Sequence, residues 1–161
     1  NLYEQGLIST DEFVEFYVDN FQNLSKQDIL DAWHFIIKDF PKHRLEFVQN
    51  LASDKKYKLI LLSNTNDLHI EYIKDRIDFY EDFKNCFDAF YLSHEINLRK
   101  PNANIYQYVL DAHNIKADET LFIDDTEENI KSAQNSGIHT WLINPKSDDI
   151  VNLFSIKNDL F

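Results

Sequence analysis

The sequence predicts an α/β fold: a mostly parallel sheet with helices on both faces, preceded by a small helical segment. Three observations carry this reading. Four short runs, Tyr57 to Leu62, Phe87 to Leu92, Thr120 to Ile123 and His139 to Ile143, are largely apolar along their length, as expected of strands buried on both faces. Stretches of helical periodicity lie between and after them, over 67–84, 102–113, 126–136 and 147–155. Alternating strands and helices make βαβ units, whose crossovers impose parallel pairing. Residues 1–39, by contrast, carry apolar side chains at helical spacing alone.

The elements follow in order. Ser9-Thr10-Asp11-Glu12 is a capping box, in which the serine takes an amide three residues on and the glutamate reaches back. Phe13, Phe16, Tyr17 and Phe21 then give the first helix its stripe. Ser25-Lys26-Gln27-Asp28 opens a second helix similarly, with Ile29, Ala32, Trp33, Ile36 and Ile37 as its apolar face. Pro41 suits the first turn of a third helix, which runs to about Asp54 through Leu45, Val48 and Leu51. Gly137 stands where the helix before the last strand should end in a left-handed residue. No repeat or flexible linker interrupts the chain, so residues 1–39 form a helical piece and 40–161 an α/β core.

Composition narrows the class. The 161 residues, 43% of them hydrophobic, suffice for one domain with a real core and a small insert. No apolar run approaches the roughly 20 residues of a membrane helix. Sixteen basic against 28 acidic residues leave a charge of −12, which repels nucleic acid and anionic lipid alike. One cysteine, Cys86, excludes an internal disulfide framework and a cysteine-rich zinc site. The expectation is a soluble, cytoplasmic protein without nucleic-acid or membrane partners; oligomeric state is not encoded legibly. The chain has no methionine and starts Asn1-Leu2-Tyr3, so its natural start is expected further upstream, or a leader has been removed.

In open parallel sheets, function gathers at the carboxyl ends of the strands. Ser63-Asn64-Thr65-Asn66 follows the first apolar run, Arg99-Lys100-Pro101 follows the second after a short loop, and Asp124-Asp125 follows the third. Singly, each has a plain structural reading. Ser63 would cap a helix, Lys100 would be a solvated charge, and the aspartates would face a helix dipole. Jointly they bring a hydroxyl, an ammonium and an acidic pair to one rim. Adjacent carboxylates repel each other, and a divalent cation with a taste for hard oxygen, such as magnesium, relieves that repulsion.

The blocks YKLILLSNTN, LRKPNANIYQYVL and TLFIDDTEENIKSAQNSGIHT resemble, in order and strand placement, the second, third and fourth motifs of haloacid dehalogenase-like hydrolases. The likeness extends from about residue 1 to residue 145, and it is greatest to small-capped phosphatases such as bacterial α-D-glucose-1-phosphatase. The resemblance implies a Rossmann-like core with a helical cap. It implies a magnesium-dependent phosphatase of a small phosphorylated metabolite, a sugar phosphate being one candidate, acting through a phospho-aspartyl intermediate. Ser63 and the Asn64 amide would hold the phosphoryl group, and Lys100 would offset charge on nucleophile and phosphate. Asp124 and Asp125 would hold Mg2+, and Asn129 would orient the acidic loop. Phosphoryl transfer needs such positioning and charge neutralisation above all, and in a chain of charge −12 the lysine and the metal would supply the local positive site.

One departure stands out. The family's first motif, Asp-x-Asp on a hydrophobic strand, occurs nowhere in the 161 residues. The resemblance therefore places the nucleophile N-terminal to Asn1, on a strand that would lie between those carrying Ser63 and Asp124. Without it, two strand pairs with open inner edges are expected. A non-catalytic binding or regulatory protein and a metal-free dehalogenase are the competing readings. The acidic pair argues against the dehalogenase. A phosphorylation-receiver domain is excluded by order, since there the acidic pair precedes the hydroxyl and lysine.

Other signals carry less. His34, His43, His69, His94, His113 and His139 lack metal-ligand spacing. His69 is expected to be structural at a helix start, Cys86 packed rather than reactive, and Lys55-Lys56 a solvated turn.

Overall fold

The computed structural model describes residues 2–161. The chain forms two compact units, one reaching Asn97 and the other spanning Leu98–Phe161.

In the first unit, α1 (Thr10–Asn20) and α2 (Lys26–His34) both begin with complete capping boxes, Ser9 with Glu12 and Ser25 with Asp28. Buried Tyr3, Phe13 and Val14 form a cluster against which Tyr17, Val18, Leu30, Trp33 and Leu68 pack, with the Tyr3 and Phe13 rings stacked at 4.3 Å. The inward face of α1 is therefore 13, 14, 17 and 18. Phe16 and Phe21, expected in the stripe, fall off that arc and stay exposed. Likewise α2 ends at His34, which leaves Ile36 outside the helix and exposed. Pro41 is the N-cap of α3 (Lys42–Asp54) rather than a residue of its first turn, and Leu45 is that helix's buried contact.

Strand β1 (Ile60–Ser63) pairs in parallel with β2 (Ala89–Leu92), Ile60 opposite Ala89 and Ser63 opposite Leu92. Between them, the helix expected over 67–84 is two helices, α4 (Asp67–Arg76) and α5 (Tyr80–Lys84). The break is at Ile77, whose backbone is extended at φ −118° and ψ 100°. It lets Tyr80 turn into a cluster with Ile70 and Leu92. A short helix, α6 (Ser93–Ile96), follows β2 directly.

The second unit holds α7 (Ala103–His113), β3 (Leu121–Asp124), α8 (Glu127–Asn135), β4 (His139–Leu142) and α9 (Leu153–Ile156). β3 and β4 are parallel, with Asp124 opposite Leu142. Gly137 turns the chain from α8 into β4 at φ +82°, in the left-handed region. The helix expected over 147–155 is a 3-10 turn, Ile150–Asn152, running into α9.

The fold is thus α/β with parallel strands, as the sequence predicts. Among the described residues the strands form two separate pairs, β1 with β2 and β3 with β4. Burial on both faces is not what the strands show. Only Leu92 and Trp141 are buried, the other strand residues being half-buried or exposed. A two-stranded sheet gives each strand one open edge, and that accounts for the difference. No helix among the described residues is long and apolar enough to cross a membrane.

Candidate active site

Lys100 ends the loop leading into α7, and a cis peptide joins it to Pro101. Its side chain is buried, only 8% exposed, and its Nζ lies 2.7 Å from Asp124 Oδ2, which accepts its hydrogen bond. The same ammonium lies 5.3 Å from the centre of the Phe122 ring. Asp124 closes β3. Its other oxygen, Oδ1, accepts from the Asn129 side-chain amide at 2.9 Å and from the Thr126 backbone amide at 2.8 Å. Asn129, buried on the first turn of α8, is steadied through its own carbonyl, which accepts from the Tyr106 hydroxyl at 2.8 Å. Burial raises the Asp124 carboxyl's hold on its proton. The Lys100 ammonium, with help from Asn129 and Thr126, outweighs that and keeps the group below the usual carboxylate range. Burial beside Asp124 pushes the Tyr106 phenol upward, so it remains a donor.

Asp125, one residue on, is exposed, and its carboxylate accepts from the Thr126 hydroxyl at a long 3.4 Å. The acidic pair is therefore divided: Asp124 is committed to Lys100 and the loop, while Asp125 offers its oxygens outward. Among the described residues no group of three or more His, Cys, Asp or Glu side chains is arranged to hold a metal. Two carboxylates still suit magnesium, which keeps several waters and takes one or two protein carboxylates alongside a substrate phosphate.

In the first unit, Ser63 and Asn64 stand at the carboxyl end of β1, both half-buried. The loop beyond them is held firmly. The Thr65 amide donates to Ser93 Oγ at 2.9 Å, and that hydroxyl donates back to the Thr65 carbonyl at 3.0 Å. Ser63 is not the helix cap that its plain reading suggested. Asn66 is, its Oδ1 accepting from the His69 amide. Lys100 is not solvated either. The structure thus gathers Lys100, Asp124 and Asn129 into one hydrogen-bonded group, with Asp125 beside it. Tyr106, Thr126, Asn66 and Ser93 were not singled out from sequence. Asn66 and Thr126 are both capping residue types just ahead of a helix, which is the signal that could have found them.

In the second unit, then, a buried lysine is held by the first of two adjacent aspartates at the carboxyl end of β3, and the second aspartate is exposed. The chain belongs to the haloacid dehalogenase-like hydrolases, whose family model matches residues 10–137. It is 28% identical over 142 residues to D-ribitol-5-phosphate phosphatase from Bacteroides thetaiotaomicron, a match spanning 86% of this chain and 68% of that protein. It is similar to the solved structure of a family enzyme from the same bacterium in complex with magnesium and inorganic phosphate. There the identity is 34% and the TM-score 0.83, over 95% of this chain and 77% of that one. A HAD-like hydrolase structure from Porphyromonas gingivalis matches at 26% identity and TM-score 0.82, over 97% of this chain and 77% of the other.

Proposed function

We propose that this protein is a magnesium-dependent phosphatase of small phosphorylated metabolites, with a sugar or sugar-alcohol phosphate as its substrate. The observation that carries the reading is the buried Lys100–Asp124 pair with an uncommitted Asp125 beside it. A protein bears the cost of burying two charges more readily where the cation has work to do. The Ser63 hydroxyl and Asn64 amide bind phosphoryl oxygens, and the Lys100 ammonium offsets charge that grows during transfer. Asp124 holds Lys100 in place, and Asn129 holds Asp124. Asp125 is the direct magnesium ligand, because both Asp124 oxygens already accept strong hydrogen bonds. When bound, the metal neutralises phosphate charge and fixes its orientation. The attacking group in this reading is the first aspartate of an Asp-x-Asp motif, which these 161 residues do not contain. Residues 1–39 supply the later part of a helical cap and 40–161 the core, and enclosure by a cap favours small substrates.

The test is phosphate release by the full-length protein from a panel of sugar and sugar-alcohol phosphates, with magnesium and with chelator. Release that requires magnesium supports the reading. Release unaffected by chelator, or none from any ester, counts against it.

A further inference from the structure

Trp33 on α2 reaches across to the loop after β1. Its indole Nε1 donates to Asn66 Oδ1 at 3.3 Å, and its carbonyl lies 3.1 Å from His69 Nε2. Its ring stacks on the His69 imidazole, the centres 5.4 Å apart and the planes 24° off parallel. Asn66, fully buried, completes the triangle, with Nδ2 3.2 Å from His69 Nδ1.

The donors and acceptors allow one arrangement. Asn66 Oδ1 accepts from two groups that can only donate, the Trp33 indole and the His69 amide. Its other end is therefore the NH2 group, which donates to His69 Nδ1. That nitrogen must then be unprotonated, and Nε2–H donates to the Trp33 carbonyl. The ring is held as the neutral Nε2–H tautomer. A second proton would set Nδ1–H against the Asn66 NH2. Turning the amide over to relieve this would set NH2 against two other donors. Leaving the amide as it is breaks the Asn66–His69 hydrogen bond, and turning it breaks the Trp33–Asn66 bond between α2 and the loop.

We propose that Asn66 and His69 form a proton-gated latch that seats cap helix α2 on the loop carrying Ser63 and Asn64, both being positioning residues. This rests on the phosphatase reading above. Burial, the largest influence, pushes the His69 pKa down. The Trp33 carbonyl opposes that, His34 on α2 disfavours a charged ring, and Glu4 in the N-terminal turn favours one. Charging the ring therefore costs the closed arrangement, and acid opens the latch.

The test follows two signals in the full-length protein with Trp141→Phe, so that Trp33 alone reports from the described residues. One is the His69 ring proton resonance against pH; the other is Trp33 emission. The expected result is a His69 midpoint below the ordinary 6.5 with an emission change at the same pH. Asn66→Asp supplies an acceptor for Nδ1–H and should raise both midpoints together by about one pH unit, a tenfold tighter proton. Should that variant fail to fold, Trp33→Phe keeps the stacked ring but removes one donor to Oδ1, and should raise the His69 midpoint less far. Flat Trp33 emission through the His69 titration, or a midpoint unmoved by these changes, overturns the latch. The kcat/KM for phosphate release should fall with the His69 midpoint. Coincident spectroscopic midpoints with no release at any pH would support the latch while overturning the phosphatase reading.

Discussion

Asp124 and Asp125 are neighbours in the chain but opposites in environment, and their substitutions should separate. Asp124→Asn removes the buried carboxylate charge that lies 2.7 Å from Lys100 Nζ, a change that costs about 3–5 kcal/mol when one partner of a buried pair is removed. Asp125→Asn touches an exposed group whose hydrogen bond from the Thr126 hydroxyl is long, so stability should move by less than about 0.5 kcal/mol. Urea unfolding midpoints check both. Magnesium titration of phosphate release checks the second half: Asp125→Asn should need far more metal for the same rate. The lysine and the two aspartates could be picked out in the sequence, because each followed an apolar run. Their division of labour could not. Lys100 and Asp124 are 24 positions apart, and only folding shows which aspartate the lysine takes.

At the scale of elements, two glycines in the left-handed region differ in their surroundings. A Cβ on Gly137 would meet Ala117 Cβ at an ordinary 3.5 Å, so Gly137→Ala carries only the backbone cost, about 1–2 kcal/mol. A Cβ on Gly6 would lie 2.1 Å from the His94 carbonyl oxygen of α6, where no backbone can yield cheaply. Gly6→Ala should lower the melting temperature clearly more than Gly137→Ala. Local chemistry made several elements legible: both serine-led capping boxes, the four strands and Gly137 all rest on neighbouring residues. Tertiary demands hid the rest. The division of 67–84 lets Tyr80 reach Ile70 and Leu92, and the exposure of Phe16 follows from the face that packs against Tyr3 and Trp33.

Across the whole molecule, pH should act in two stages. His69 has a lower pKa folded than unfolded, so the unfolded chain binds that proton more tightly. Its contribution is complete above about pH 6.5 and is lost as pH falls through the folded value. Asp124 is also depressed, so its contribution is complete above about pH 4 and is lost as pH falls further. Melting temperature against pH should therefore show two acid steps, and His69→Gln should remove the upper one alone. The open strand edges belong to this scale too: periodicity in one run does not reveal them, and the two strand pairs were expected from the absence of the Asp-x-Asp motif. The central claim is that Lys100 and the acidic loop serve phosphoryl transfer. Its most direct test is phosphate release from a sugar-alcohol phosphate by the full-length protein and by Lys100→Met, with and without magnesium. Magnesium-dependent release that drops by about 10²–10³ in the variant is the expected result, the scale of losing one charge-stabilising group. Release that persists without metal, or that Lys100→Met leaves intact, would contradict it.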